Sequence, residues 1–430
     1  MSYIQKVLYG ILICPIAVNS YAIDFYNIEQ LIELTLTQHP TIQSVQAEQQ
    51  VSELQTTIAK AQRYPTLSTQ SQYNQDKQLH HQINIRQTLW SGGQITADIQ
   101  QAQYKNQASH MAVLEQKYHI AKNTIDVWQN YIQADSVSVI YKTIIQDLHR
   151  FKAMMQRRVQ QGVSAPIELE LINNRILLAQ TQYDSALEQK RVAQLRLIYL
   201  VGHKPYQDHT LFHHNSNIKQ ILMQQAEADL TMIKHKVMYQ YQDYTAQHPT
   251  SSKLDYQIKA QQKQLESVKA QRYPTIYTQW SHEYQPNATK HYDQSFSIGM
   301  TFNTGAGLSK WIEPQISTAQ IESLKANQQA NQRQLEENLQ TQYQQFIHDY
   351  QQIKLLKLAI KDSQMVSESY QRQFLVGRKS WLEILNAIRE HMDYQAQLIQ
   401  FESSFLAQYF RLKVDLNMMT WQNEVTEHHQ

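Results

Sequence analysis

The residues with the most chemical potential in this 430-residue chain are two glutamates placed alike. Glu168 lies six residues past Gly162 in Gly162-Val163-Ser164-Ala165-Pro166-Ile167-Glu168, and Glu383 six past Gly377 in Gly377-Arg378-Lys379-Ser380-Trp381-Leu382-Glu383. A glycine that ends one helix, followed by an acid in the first turns of the next, puts a carboxylate where the helix dipole favours negative charge. That role is complete in itself, whereas an ion-attracting role needs several such carboxylates around one axis. Other reactive candidates are few. The pairs His80-His81, His213-His214 and His428-His429 lack ligand spacing on a common helix face, so no metal site is expected. No nucleophile elbow, phosphate loop or zinc-protease helix motif occurs, which argues against an enzyme and gives no cofactor.

The elements that carry these glutamates are written twice. Gln38-His39-Pro40-Thr41 followed by Ala61-Gln62-Arg63-Tyr64-Pro65-Thr66 returns, shifted by 209, as Gln247-His248-Pro249-Thr250 followed by Ala270-Gln271-Arg272-Tyr273-Pro274-Thr275. The Gly162/Glu168 and Gly377/Glu383 pairs repeat at a shift of 215, so two tandem copies span most of the chain, 23–205 and 206–420, before a tail 421–430. Glycine and proline, nine of each, mostly punctuate: Gly92-Gly93 and Gly305 with Gly307 hold equivalent places, and Gly202 and Pro205 lie between the copies. Breaker-free runs of about 68 residues from Gln94 and about 62 from Gln315 predict helices of roughly 90–100 Å. Apolar residues step by four and three at Ile140, Ile144, Leu148, Phe151, Met155 and Val159, and again at Leu169, Ile172, Ile176, Ala179, Tyr183 and Ala186. About one residue in six is Gln. A Gln-rich tract can signal disorder, but these residues are interleaved with a sustained helical period and suit wet helix faces.

Residues 1–22 differ from the rest. Lys6, an apolar run from Val7 to Val18 and Ser20-Tyr21-Ala22 read as a secretory leader cut after Ala22. The run is too short for a membrane span, which needs about 20 residues. Cys14, the only cysteine, falls inside it, preceded by Ile13 and followed by Pro15, so a lipidated thiol is not expected and the mature chain carries none. A net charge of +2 gives no argument for nucleic acid.

Each copy also carries a hairpin with a period of two, about 64–90 and about 273–304. Ile83, Ile85 and Leu89 alternate with Asn84, Arg86 and Thr88; Phe296, Ile298, Met300 and Phe302 alternate with Ser297, Gly299, Thr301 and Asn303. One apolar and one polar face is what a barrel wall between lipid and water requires. Tyr64, Tyr73, Trp90, Tyr273, Trp280, Tyr284 and Tyr292 cluster at strand ends as an interfacial girdle would. A soluble ribbon capping a coiled coil, within a periplasmic scaffold or adaptor without a pore, is the alternative. Four strands cannot close a membrane barrel, since the smallest have eight. Two chains would supply eight and three would supply twelve, of which only twelve leaves a water-filled bore. Gly92, Gly93, Gly305 and Gly307 sit where strand must turn into helix.

The doubled His-Pro and Tyr-Pro-Thr marks, the Leu89-Trp90-Ser91-Gly92-Gly93 strand exit and the two Gly-to-Glu turns together resemble the TolC family of outer-membrane efflux and secretion ducts, over about residues 25–418. The resemblance implies a mainly α chain with a small β part. It implies a homotrimer with a shared 12-stranded β-barrel in outer-membrane lipid, continued by a long α-helical barrel across the periplasm of a Gram-negative cell. It also implies a periplasmic adaptor (membrane fusion protein) and an inner-membrane ABC or RND transporter as partners. The turns at Gly162, Val163, Gly377 and Arg378 would be the adaptor-docking periplasmic end, which opens like an iris. Glu383 would form the constriction, with Asn386 where relatives carry a second acid. Glu168 would latch neighbouring helices, with Lys379 as basic partner, and Phe374 stands where Tyr is frequent. The unlipidated leader and the Leu-Trp-Ser-Gly-Gly exit point to type I protein secretion, with drug or metal efflux as the alternative cargo.

Overall fold

The computed structural model describes residues 27–73, 79–202, 216–284 and 292–422. The leader, Lys77 and Lys290 between the strands of the two hairpins, His213-His214 and His428-His429 lie outside these residues.

The duplication is literal in three dimensions. After α1 (Ile28–Gln38), the first copy runs α2 (Pro40–Ala61), β1 (Thr66–Tyr73), β2 (Leu79–Trp90), α3 (Gln94–Gln160) and α4 (Ile167–Leu200). Three short helices follow, α5 (Ser216–Ala228), α6 (Leu230–Tyr239) and α7 (Tyr241–Gln247). The second copy is α8 (Pro249–Ala270), β3 (Thr275–Tyr284), β4 (Tyr292–Thr301), α9 (Glu313–Leu375) and α10 (Trp381–Asp415). The fold is thus mainly helical with one small sheet. At about 1.5 Å per residue, the 67 residues of α3 span about 100 Å. Among the described residues no helix is long and apolar enough to cross a membrane.

The repeated His-Pro is a helix start. His39 accepts from Thr41 N–H through Nδ1 at 3.2 Å, and His248 from Thr250 N–H at 3.3 Å, with Pro40 and Pro249 at the first helical position, where a missing N–H costs nothing. The two sites differ in burial. His248 is 8% exposed and its ring meets Tyr118 edge-on; desolvation drives its pKa down to about 4.

Packing gives the chain a fixed lateral order. Near the sheet, α2, α3, α8 and α9 lie side by side, and at the far end α9, α10, α3 and α4 do. The strands continue that order as β1-β2-β3-β4, antiparallel throughout. Elements β1, α2 and α4 therefore flank one side, and β4 and α9 the other. Along α4, Ile172, Ala179, Ala186 and Ala193 are buried at strict spacings of seven, the period of a left-handed coil around α3. The main core lies midway, where α1, α3, α9 and α10 meet around Trp128, Phe346, Phe405 and Phe410. Here α10 is pinned by Lys413–Glu29 at 2.7 Å, Arg411–Asp126 at 2.5 Å and Lys122–Asp415 at 2.5 Å.

Candidate functional site: the hairpin tips and the sheet

Both long hairpins turn by the same device. Gly162 (φ +71°) and Gly377 (φ +75°) occupy the left-handed region. Val163 N–H bonds back to Arg158 O at 2.8 Å, and Arg378 N–H to Gln373 O at 2.9 Å, each closing a Schellman turn that satisfies the helix's last carbonyls. A separate apolar cluster of Met155, Ile172, Phe374, Trp381, Ile384 and Leu385 joins the two tips. Trp381 is its hub: 2% exposed, it donates through Nε1–H to the Glu168 carbonyl at 3.1 Å and touches Phe151 and Phe374 with its ring. Trp381 belongs to none of the repeated motifs, although a large aromatic directly after a helix cap signals a buried anchor.

Glu383 is tied up inside its own chain. Ser380 Oγ accepts from Glu383 N–H at 3.3 Å while Glu383 Oε2 accepts from Ser380 N–H at 2.8 Å, a reciprocal capping box. Its other oxygen takes Lys379 Nζ at 2.7 Å. The lysine, then the Ser380 amide and hydroxyl, hold its pKa down at about 2. Carboxylates crowded round an axis should gain proton affinity; within one chain the direction is the opposite. Asn386 is exposed one turn further along α10.

The expected Glu168–Lys379 pair does not form within the chain, because Lys379 turns to Glu383 and lies over the Tyr370 ring at 4.4 Å. Glu168 Oε2 is left buried without a partner. Phe374 is 6% exposed, stacked under Arg158 at 4.6 Å, so its ring serves the cluster. Tyr370, one turn earlier, meets Lys379 with the face of its ring.

The sheet confirms the alternation and joins the two hairpins through β2 and β3, a pairing between copies that local pattern could not show. Register puts Thr66, Arg86, Gln279 and Ser297 in one row and Ser68, Asn84, Ser281 and Ser295 in the next, all on one face. The opposite face carries Leu67, Ile85, Trp280 and Phe296. Nothing among the described residues covers it: Leu67, Phe296, Ile298 and Met300 are each 67–70% exposed. The expected strand-to-helix glycines all have positive φ. Gly92 is doubly constrained, since at φ +63° an added Cβ would lie 2.9 Å from Tyr273 Cβ and 3.0 Å from Ala270 O. The second copy's Tyr-Pro-Thr thus packs on the first copy's exit. Among the described residues no cluster of His, Cys, Asp and Glu could hold a metal ion.

The model of the outer membrane efflux protein family matches residues 31–203, the first copy. No curated protein matches the chain in sequence. Among solved structures, the outer membrane protein VceC of Vibrio cholerae is 13% identical, with 90% of this chain and 95% of that chain covered at a TM-score of 0.67. The Campylobacter jejuni CmeC outer membrane channel is 10% identical over 94% and 89% of the two chains, TM-score 0.70. The Neisseria gonorrhoeae MtrE outer membrane channel in its open state is 12% identical over 93% and 92%, TM-score 0.61. At these identities the likeness to solved structures is one of fold. With the efflux-protein model matched across the first copy and the fold shared across both, the resemblance to TolC-like outer-membrane efflux channels is borne out.

Proposed function

We propose that three copies of this chain close into a passive export duct, a 12-stranded barrel in the outer membrane continued by a helical barrel through the periplasm. The observation that carries this reading is the two-faced sheet at the head of a ribbon with two unlike open sides. On one side α2 exposes Val51, Leu54 and Ile58, and α4 exposes Leu171, Leu178, Val192 and Tyr199 at multiples of seven residues. On the other, α9 exposes Leu355, Leu358 and Met365. Two unlike sides that meet head to tail generate a ring, and a ring removes the unpaired strand edges. Three copies turn the polar face inward on water and the apolar face outward on lipid. The leader expected at 1–22, the two copies 23–205 and 206–420 and the tail 421–430 fit this plan.

In the same reading the tips at Gly162, Val163, Gly377 and Arg378 meet a periplasmic adaptor, and an inner-membrane transporter supplies the energy. Type I protein secretion is the cargo class favoured by the Leu89–Gly93 exit and the unlipidated leader. Drug or metal efflux is the second reading, favoured by the efflux-protein family match. Deleting the gene and comparing the secreted proteome with dye and antibiotic retention separates the two. Loss of a secreted protein supports secretion, and dye retention with an unchanged secretome supports efflux. Recovery of the mature protein as a soluble periplasmic monomer contradicts both.

A further inference from the structure

Among the described residues Gly299 is the one glycine inside a strand or α-helix, and its place in β4 has a reason. Directly opposite on β3 stands Tyr277, whose ring closes over Gly299 so tightly that an added Cβ would meet it at 2.5 Å. From β2, Arg86 reaches across β3 and sets its guanidinium over that ring, 3.5 Å from the centroid. Its Nη2 goes on to donate to Thr301 Oγ1 on β4 at 3.4 Å. Three strands therefore hold one cation flat on the polar face. Among the described residues no carboxylate forms an ion pair with Arg86. The acids on this face, Glu283 and Asp293, lie two rows or more further from the helices, and Glu283 is occupied by His80 at 2.7 Å.

A guanidinium stacked on an aromatic ring keeps its edge N–H groups for a planar anion, and stacking removes the rotamer freedom that would otherwise weaken such contacts. We propose that Arg86 is a second selectivity element: a ring of three guanidiniums at the inner end of the β-barrel that attracts anionic groups such as carboxylate and phosphate. The proposal rests on the duct reading, which turns this face toward water. It would give the pore opposite charge preferences at two depths, for anions at Arg86 and for cations at Glu383. An anionic cargo group held back at the tip would be drawn onward at the barrel.

The test is conductance of the full-length mature trimer in planar bilayers, with inositol hexakisphosphate added on the barrel side as probe. Arg86→Gln should weaken block by the probe about tenfold and shift the reversal potential in a salt gradient toward cations. Arg86→Lys, which keeps the charge but loses the planar stack, should preserve the reversal potential and still lose most of the block. Gly299→Ala, which displaces the Tyr277 ring without touching the charge, should behave like Arg86→Lys. Unchanged block and reversal potential in Arg86→Gln channels overturn the proposal while leaving the duct intact. If wild-type protein forms no channel, the duct reading falls and takes this inference with it.

Discussion

Replacing Trp381 by alanine should separate the two hairpin tips without unfolding the chain. The indole is 2% exposed in a cluster distinct from the main core, so its loss is felt locally. Truncating a buried Trp costs about 3–5 kcal/mol, which includes the ring contacts to Phe151 and Phe374. The hydrogen bond to the Glu168 carbonyl contributes about 1 kcal/mol of that. At about 1.4 kcal/mol per factor of ten, tip amides near Met155, Ile172 and Phe374 should exchange roughly 10²–10³ times faster in Trp381→Ala. Trp381→Phe, which keeps an aromatic ring and loses the bond, should show about a fivefold effect. Amides near Trp128 and Phe405 should be unaffected. Hydrogen exchange followed by mass spectrometry of the detergent-solubilised protein reads both regions at once, and trypsin cleavage after Arg158 and Arg378 provides a second measure. Equal tip exchange in wild type and Trp381→Ala would refute the claim that this residue couples the hairpins.

Three further outcomes are expected. His248 is held neutral in the fold, with its pKa lowered from 6.5 to about 4, so the unfolded chain binds the extra proton and stability falls as pH drops through that window. His248→Asn, which retains a capping side chain, should flatten the pH dependence of the thermal midpoint between those values. Gly92→Ala should destabilise by about 1–2 kcal/mol from its left-handed backbone alone, with more from the clash on Tyr273, whereas Gly93→Ala meets no neighbouring atom and should cost less; denaturation of the two variants compares them directly. Glu383→Gln should reduce cation selectivity and multivalent-cation block in bilayers while leaving the assembly intact, and Asn386→Asp should strengthen both. Since Lys379 and Ser380 keep Glu383 ionised down to about pH 2 within a chain, its contribution to the helix start is complete above the usual carboxylate range and is lost only as pH falls from about 4.5 toward 2.

The long helices, the hairpins and the punctuating glycines were legible because each depends on local pattern: breaker-free period, alternation and positive-φ turns. The short helices α5 to α7 were not, since their residues face a core assembled from α9 and α10, far away in sequence. Ser380 and Glu383 spell a capping box in the sequence itself, which competes with an outward-facing role for the same carboxylate. The structure shows that its first partners are local, and a role at a constriction has to be exercised together with that bond. The His-Pro start went unexplained because histidine is an unusual cap, although Nδ1 accepts as a carboxamide oxygen does. Arg86, Tyr277 and Gly299 are brought together only by the pairing of β2 with β3, so no window on the chain could have joined them.

The central claim is that one face of the sheet lines a water-filled bore, and cysteine scanning along β3 tests it most directly. In trimers reconstituted in bilayers, single cysteines at Tyr277, Gln279, Ser281 and Glu283 would be probed with a bulky impermeant thiol reagent, alongside Thr278, Trp280 and His282. The account predicts a conductance drop at the first four positions and none at the other three, following the register of the strand. Block with no alternation, or no modification at any of the seven, would contradict it.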